Sequence, residues 1–309
     1  MESFLKLGVM RISAIDVGSN AVRMMIAEWE KDRFSVLKKY RMPLRLGADV
    51  FHGGEISPST LEKAVHCFQE FAEINQKMKV LRCRAVATSA TREAKNRQTL
   101  LDLIKRNSGL SLEIIGGIEE AKLIFTAVKH HVNLRHKKTL LIDLGGGSVE
   151  ITVSESGALQ TSQSFPLGTV RILEILKSRK MTEHHIRMIM GEILSPVVKY
   201  FDQELSGHSF DIAVGTGGNL ECMARLKTQL LGEISNESIL THELSMISEK
   251  LLSLSLRDRI QKLSLREDRA DVIVPATSVV EAILRQAGVD RILIPGVGLR
   301  DGVLYSMIE

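Results

Sequence analysis

Two stretches of the chain repeat one pattern of apolar and polar positions. An apolar run over residues 12–16 ends in Asp-Val-Gly-Ser-Asn, and a second run over residues 139–143 ends in Asp-Leu-Gly-Gly-Gly-Ser. Two segments of strand-type residues and a closing glycine follow in each copy: 22–29, 34–41 and Gly47 in the first, and 149–153, 159–165 and Gly168 in the second. Short apolar runs bounded by turn residues predict strands. We therefore predict a duplicated three-strand unit.

Helical spacing of apolar residues follows each three-strand unit. In the first half, Ser57 and Pro58 have the character of an N-cap and a first helical residue. Residues 88–92 are predicted to open a helix that continues through Ile104. Further helices are predicted from Gly117 and at 182–205, 240–253 and 269–288, and further strands at 80–87, 112–115, 210–214 and 291–294.

The alternation of strands and helices in both halves predicts an α/β protein. A length of 309 residues suits two domains of about 150 residues each. We expect the domains to be 1–130 and 131–309, with a cleft between them. The C-terminal helix is expected either to stay with the second domain or to pack back on the first.

Composition narrows the class of protein. Apolar residues make up 44% of the chain, which predicts buried cores, and aromatic residues only 4%, which argues against a stacking surface for nucleic acid. No apolar run approaches the roughly 18 residues that cross a bilayer, and the start Met1–Phe4 lacks the character of a signal peptide. Three cysteines without metal-type spacing suit a reducing compartment. We expect a cytoplasmic protein with no membrane partner, no specific nucleic-acid partner, no disulfide and no zinc.

The charge balance of 41 Lys and Arg against 37 Asp and Glu gives a formal net charge of +4, which is too small to name a partner. Basic residues are concentrated before about residue 180. These basic residues could simply lie on solvated helix faces and loops. The alternative is that they form a surface that attracts a polyanion.

The glycine run Gly145-Gly146-Gly147 suggests a phosphate-binding loop. Dinucleotide and P-loop motifs require a helix directly after the glycines, whereas the alternating, β-branched residues 149–153 predict a strand and therefore a hairpin. The backbone N–H groups of a glycine hairpin can cradle phosphate oxygens. The same glycines can instead serve only to give φ > 0 in a tight turn, and the sequence leaves both interpretations open.

Four acidic residues are candidates for chemistry. Asp143 ends an apolar strand and Glu150 follows across the predicted hairpin, so the two could hold Mg²⁺ through oxygen ligands, and Asp16 occupies the matching position of the first copy. Glu120 leans toward the apolar stripe of its helix, where it is either a general base that orients water or an acid favoured by the helix N-terminus. Each of the strand-end acids could also simply form a turn.

Two strand-to-helix loops place small residues at helix starts, where phosphate is commonly bound. They are residues 88–92, in which Arg92 adds a guanidinium suited to phosphate, and residues 215–219.

Taken in order, these motifs resemble the exopolyphosphatase and guanosine pentaphosphate phosphohydrolase family. The resemblance covers essentially the whole chain and includes Asp16–Asn20, Ala87–Arg92, Gly117–Ala121, Asp143–Glu150, the Gly215 loop and Gly298–Tyr305. Asn219 departs from the pattern, because serine or threonine is expected there. The chain also ends where longer members continue into a further helical region. The resemblance therefore does not extend to the processive handling of very long polyphosphate.

The resemblance implies two ribonuclease H-like domains of the actin, sugar kinase and heat-shock ATPase superfamily, with the site in the interdomain cleft. It implies Glu120 as the catalytic base, and Asp143, Glu150 and Asp16 as metal-site acids for Mg²⁺ or another divalent ion, with a monovalent cation as an additional option. The implied phosphate-binding residues are Ser19, Asn20, Thr88, Arg92, Gly145, Gly146, Gly147, Ser148, Gly215, Thr216, Gly217 and Gly218.

The reaction expected from the resemblance is Mg²⁺-dependent hydrolysis of the terminal phosphate of inorganic polyphosphate. The alternatives are hydrolysis of guanosine pentaphosphate, phosphorylation of a small metabolite by a kinase of the same superfamily, and a non-catalytic sensor that binds nucleotide or polyphosphate. A homodimer that extends a basic surface is a further hypothesis.

Overall fold

The computed structural model describes residues 9–31, 33–232, 235 and 237–308, so the segment Met1–Phe4 interpreted above lies outside the described residues. The chain forms two compact units, Met1–Gly116 with Leu299–Glu309, and Gly117–Gly298. The predicted division after residue 130 places the helix that begins at Gly117 in the first domain, whereas the contacts group that helix with the second unit. The C-terminal helix packs on strands of the first unit.

The elements alternate as an α/β chain. The strands are β1 Met10–Val17, β2 Val22–Glu30, β3 Arg33–Met42, β4 Arg82–Ala87, β5 Leu112–Ile114, β6 Lys138–Leu144, β7 Val149–Glu155, β8 Ala158–Phe165, β9 Ile212–Thr216, β10 Ser238–Leu240 and β11 Arg291–Leu293. The helices are α1 Leu46–Gly53, α2 Pro58–Lys77, α3 Ser89–Glu93, α4 Arg97–Ser108, α5 Gly117–His131, α6 Thr169–Ser178, α7 Ile186–Gln203, α8 Gly218–Leu231, α9 Thr241–Leu252, α10 Leu256–Lys262, α11 Glu267–Ala270, α12 Ile273–Ala287 and α13 Leu299–Tyr305, with a 3₁₀ turn at Glu183–His185.

The two sheets share one strand order, as the predicted duplication requires. The first sheet has the order β3-β2-β1-β4-β5 and the second the order β8-β7-β6-β9-β11, with β10 added at the edge. In both, the first three strands are antiparallel and the next two are parallel to the central strand. The turn Gly18–Ala21 is closed by a bond from Gly18 N to Ala21 O of 3.1 Å, and the turn Gly145–Ser148 by the matching bond of 3.0 Å. The glycine run therefore forms a hairpin, as predicted.

Each unit has its own core. In the second unit, Val149, Ile151 and Val153 of β7 point into the apolar core, while the alternate residues of β7 point to the other face of the sheet. Helix α5 packs on β6, β7 and β8. The residues at the ends of β6 and β7 are thereby held between a sheet and the start of a helix.

Two predicted helices are interrupted. The helix predicted from residue 88 through Ile104 is two helices, α3 and α4, because Ala94 is extended with φ −62° and ψ 128°. The side chain of Asn96 holds the chain there by bonding both the N–H and the C=O of Ile56, at 2.9 and 2.8 Å. The helix predicted at 269–288 likewise begins only at Ile273, after the separate turn α11. Helices α1, α6 and α10 and strand β10 were not predicted.

Across the described residues, we find no helix that combines the length and the apolar character needed to span a bilayer.

Candidate active site

Three acidic side chains of the second unit converge. One carboxylate oxygen each from Glu120, Asp143 and Glu150 lies within 4.8 Å of the other two. Glu120 and Glu150 are buried and Asp143 is half-buried. We call these three residues the carboxylate trio.

The sequence assembles the trio through one helix and one hairpin. Asp143 of β6 and Glu150 of β7 are direct partners in the antiparallel pairing, so their side chains leave the sheet on the same face. Helix α5 covers that face and carries Glu120 in its first turn. The neighbouring Glu119 is exposed.

Two hydroxyl groups orient the carboxylates of the hairpin. The Thr216 hydroxyl donates to Asp143 Oδ1 at 2.5 Å, and the Ser164 hydroxyl donates to Glu150 Oε1 at 2.6 Å. Thr216 is the partner of Asp143 across β6 and β9, and Ser164 is the partner of Glu150 across β7 and β8. The pairing register therefore supplies one donor to each acid. Thr216 was predicted as a phosphate contact; the bond that it makes here is to Asp143.

The carbonyl groups of the glycine hairpin are bound by the start of α6. Thr169 N donates to Gly145 O at 3.1 Å and Val170 N to Gly146 O at 2.8 Å, and the Arg171 guanidinium donates to Gly147 O at 3.0 Å. In a trans peptide the C=O and the following N–H point in opposite directions. The N–H groups of residues 146, 147 and 148 therefore point away from these donors.

Close approach of backbone accounts for glycine at position 168, and a left-handed conformation does not account for the glycine run 145–147. Gly145, Gly146 and Gly147 do not have φ > 0, so that interpretation of the run is wrong. A Cβ on Gly168, the residue before α6, would lie 2.1 Å from Gly147 N and 2.2 Å from Gly146 C. Only glycine at 168 lets the hairpin peptide lie flat against the start of α6.

The turn between β9 and α8 closes over the end of β6. Gly217 has φ +91°, so the conformation favours glycine, and a Cβ there would lie tightly against Asp143 Oδ1 and Leu144 O, at 3.2 Å from each. A Cβ on Gly215 would meet the Ile292 side chain at 2.7 Å. Gly218 begins α8. The Gly215–Gly218 turn thus lies beside Asp143.

The remaining predicted residues belong to the first unit. Asp16 is the counterpart of Asp143 in strand order, but its cross-strand partner is Arg23, with a carboxylate to guanidinium distance of 3.7 Å. Burial raises the pKa of Asp16 above its usual value, and the charges of Arg23 and Arg300 offset part of that rise. Its role as a metal ligand stays a prediction.

The polar residues predicted beside Asp16 are engaged within their own unit. The Ser19 and Ser89 hydroxyl groups are hydrogen-bonded at 2.9 Å, and Asn20 O accepts from Arg45 N at 3.2 Å. The Arg92 guanidinium donates to Ile115 O at 2.7 Å. The substrate-binding roles of Ser19, Asn20, Thr88 and Arg92 stay predictions.

The sequence motifs do not mark two residues that bond to groups of the site, Ser164 and Arg171. Ser164 could have been found by extending the predicted hairpin to its third strand and reading the residue opposite Glu150. Arg171 bonds to a backbone carbonyl, Gly147 O, and no local motif marks such a contact.

The donor chemistry of the trio fits a hard divalent cation. Mg²⁺ and Ca²⁺ are bound in proteins by oxygen ligands, mainly carboxylates, and the trio offers three of them within 4.8 Å of one another. Asp143 and Glu150 are therefore the residues that would hold the ion, with Glu120 beside them.

Comparison with known proteins agrees with the resemblance. The sequence model of the Ppx/GppA phosphatase family matches residues 25–309. The guanosine-5'-triphosphate,3'-diphosphate pyrophosphatase of Aliivibrio fischeri is 25% identical over 301 residues, which make up 96% of this chain and 59% of the relative. The chain thus spans about three fifths of the length of the curated relatives that it matches.

Two solved structures share the fold along the chain. An exopolyphosphatase from Cytophaga hutchinsonii superposes with a TM-score of 0.84 at 26% identity, covering 97% of this chain and 98% of that one. The Aquifex aeolicus member of the Ppx/GppA family superposes with a TM-score of 0.77 at 25% identity, with the same coverage of both chains. The two α/β units have the actin-like ATPase fold. The chain belongs to the Ppx/GppA phosphatase family.

Proposed function

We propose that this protein is an exopolyphosphatase that removes the terminal phosphate of inorganic polyphosphate by attack of water. The single observation that carries the proposal is the carboxylate trio, which brings three acids within 4.8 Å beside two glycine turns. Members of the family that the chain resembles act on phosphoanhydride bonds. Phosphoryl transfer requires mainly positioning and charge compensation, and these are what the trio and the turns offer.

Glu120 is the proposed general base. It lies in the first turn of α5, is buried, and has a carboxylate oxygen within 4.8 Å of one from each of the other two acids of the trio. A carboxylate in that position can accept a hydrogen bond from a water molecule and hold it in line with the terminal phosphorus. As the water oxygen bonds to phosphorus, its proton passes to a Glu120 oxygen and the bridging oxygen leaves with the shortened chain.

Asp143 and Glu150 are the proposed ligands of Mg²⁺ or another divalent ion. When bound, the ion would neutralise charge on the phosphate oxygens. Thr216 and Ser164 keep the two carboxylates turned toward this position. The backbone N–H groups of residues 146–148 are the proposed contacts for phosphate oxygens, because the carbonyl groups of the same peptides, those of residues 145–147, are held on the opposite side by α6.

Guanosine pentaphosphate is the second candidate substrate, because the Aliivibrio fischeri relative is named for a guanosine substrate. Both substrates end in a phosphoanhydride, so the same trio serves either.

We place the reaction in the cytoplasm, as the cysteine content suggests, and we propose neither a membrane nor a specific nucleic-acid partner. Light scattering tests the proposed homodimer.

Phosphate release tests the proposal. The purified protein is given Mg²⁺ and, in parallel, medium-chain polyphosphate, guanosine pentaphosphate or ATP. We expect the fastest release from polyphosphate. Phosphate release from guanosine pentaphosphate alone would make that nucleotide the substrate. Transfer of phosphate from ATP to a small metabolite would indicate a kinase. Polyphosphate binding without phosphate release from any of the three substrates would indicate a sensor.

A further inference from the structure

A buried arginine and a buried asparagine connect α11 to the end of β6. Arg269 Nη1 donates to Asn219 Oδ1, and Asn219 Nδ2 donates to Leu144 O at 3.1 Å. The relative accessibility of both side chains is 4%. Leu144 follows Asp143 directly, so the connection ends one peptide from a member of the carboxylate trio.

The chemistry of the arginine determines the orientation of the asparagine amide. A guanidinium has only donors, so the amide oxygen must face Arg269 and the amide NH₂ must face Leu144 O. Both ends of the amide are then satisfied in a buried place, where an unsatisfied polar group is costly. Arg269 therefore prevents the Asn219 side chain from turning over.

The same connection completes a clamp on the end of β6. The turn that precedes α8 holds Asp143 by the Thr216 hydroxyl, and the second residue of α8, Asn219, holds the next carbonyl. The resemblance predicts serine or threonine at 219, whose hydroxyl sits directly on Cβ. The asparagine amide reaches one bond further and can join two partners at once.

We propose that Asn219 and Arg269 are positioning residues for Asp143. Their bonds hold the Leu144 peptide, and thereby keep the Asp143 carboxylate at the place where the trio takes a divalent cation. The inference rests on the proposed function only in that the trio binds such an ion, and it is independent of which phosphoanhydride is the substrate. No contact of Asn219 or Arg269 with substrate is needed.

The test uses Mn²⁺ as the probe, with free and bound ion separated by electron paramagnetic resonance. Asn219→Ala removes the bridge, Arg269→Lys keeps the buried charge but loses the planar guanidinium, and Asp143→Asn identifies the binding at the trio. The matched control is Lys227→Arg, which exchanges a second buried cation. Lys227 lies on α8, and its ammonium group is bonded to Glu243 at 3.0 Å and to Ser238 O at 3.1 Å. Lys227 lies about 12 Å further along the helix than Asn219, at 1.5 Å per residue.

We expect Asn219→Ala to weaken Mn²⁺ binding by about 10-fold, as is usual for the loss of a group that orients a ligand. Arg269→Lys should weaken binding by less, and the double variant should match Asn219→Ala, because both residues act through one bridge. The Mg²⁺ concentration for half-maximal phosphate release should rise by the same factor, with activity restored by excess Mg²⁺. Lys227→Arg should bind Mn²⁺ as the wild type does.

Unchanged Mn²⁺ affinity in folded Asn219→Ala and Arg269→Lys, with binding lost in Asp143→Asn, would overturn this inference and leave the proposed function intact. Absence of Mn²⁺ binding by the wild-type protein would contradict both. If Asn219→Ala does not fold, Arg269→Lys alone decides, because it retains the buried charge.

Discussion

Asp143 and Glu150 face each other as direct partners in the antiparallel pairing of β6 with β7. The matching pair in the first unit is Asp16 with Arg23, an acid opposite a base. Opposite charges across strands stabilise a sheet and like charges destabilise it. The second copy of the duplicated hairpin thus carries a pair of acids that should gain from a bound cation, whereas in the first copy an arginine lies opposite the acid.

A divalent cation should therefore raise the thermal stability of the second unit. At a Mg²⁺ concentration of 100 times its Kd, the unfolding free energy should rise by about 2.7 kcal/mol. In the double variant Asp143→Asn with Glu150→Gln, the rise should disappear. Calorimetry in EDTA and in Mg²⁺ measures both, with Glu119→Gln as the control that keeps the rise. An equal rise in the double variant would place the ion elsewhere.

Asp16 should lower stability at neutral pH. Its pKa is raised above the usual value of 3.8, chiefly by burial, so the folded state disfavours the ionised form. This cost is absent below pH 3.8 and develops as the pH rises through the folded-state pKa. We expect Asp16→Asn to be more stable than the wild type at neutral pH, with an advantage that fades in acid.

Chemical denaturation at a series of pH values measures the effect of Asp16. Asp258 is the control of opposite sign, because bonds from Lys262 and Ser255 lower its pKa. Asp258→Asn should therefore be the less stable protein at neutral pH, and the difference should fade in acid. A loss of stability in Asp16→Asn at neutral pH would show that Arg23 outweighs burial.

Gly168→Ala should disturb the glycine hairpin. Its Cβ would lie 2.1 Å from Gly147 N, so either the hairpin or the start of α6 must move. Overpacking of this kind costs about 1–3 kcal/mol or more, and the shifted N–H groups should also raise the KM for polyphosphate. The control is Gly191→Ala, in α7 with open space around its Cβ, which should gain about 0.5–1 kcal/mol. Equal stability of the two variants in urea would refute the close approach.

The adjacent glycines at the start of α5 offer a test of the bond between Ser164 and Glu150. A Cβ on Gly117 would lie 2.6 Å from Ser164 Cβ and 2.7 Å from its hydroxyl, whereas a Cβ on Gly116 would meet nothing within 4 Å. Gly117→Ala should displace Ser164 and lower kcat by about 10- to 100-fold. Gly116→Ala should leave kcat near the wild-type value. Similar kcat values for both variants would show that the bond from Ser164 to Glu150 does not support catalysis.

Much of the fold was predictable because it depends on local pattern. The apolar runs before Asp16 and Asp143 predicted the central strands, and β-branched residues after Gly147 predicted a hairpin rather than a helix. The structure confirms both. The break at Ala94 was not predictable, because it depends on Asn96 bonding to Ile56, 40 residues away in the sequence.

The candidate site was likewise predictable only where it depends on local pattern. Glu120 was predicted to face inward from helical spacing, and the cross-strand placement of Asp143 and Glu150 follows from the hairpin. The bridge from Arg269 through Asn219 to Leu144 joins three elements that are distant in sequence. No periodicity or motif specifies such a bridge, since it arises only when α8 and α11 have packed.

The most direct test of the central claim is phosphate release by Glu120→Gln beside Glu119→Gln. The two substitutions are chemically identical and one residue apart, but Glu120 is buried in the trio and Glu119 is exposed. If Glu120 is the general base, its substitution should lower kcat by about 10²- to 10⁴-fold, with polyphosphate affinity retained, and Glu119→Gln should turn over as the wild type does. Full turnover by Glu120→Gln would contradict the account.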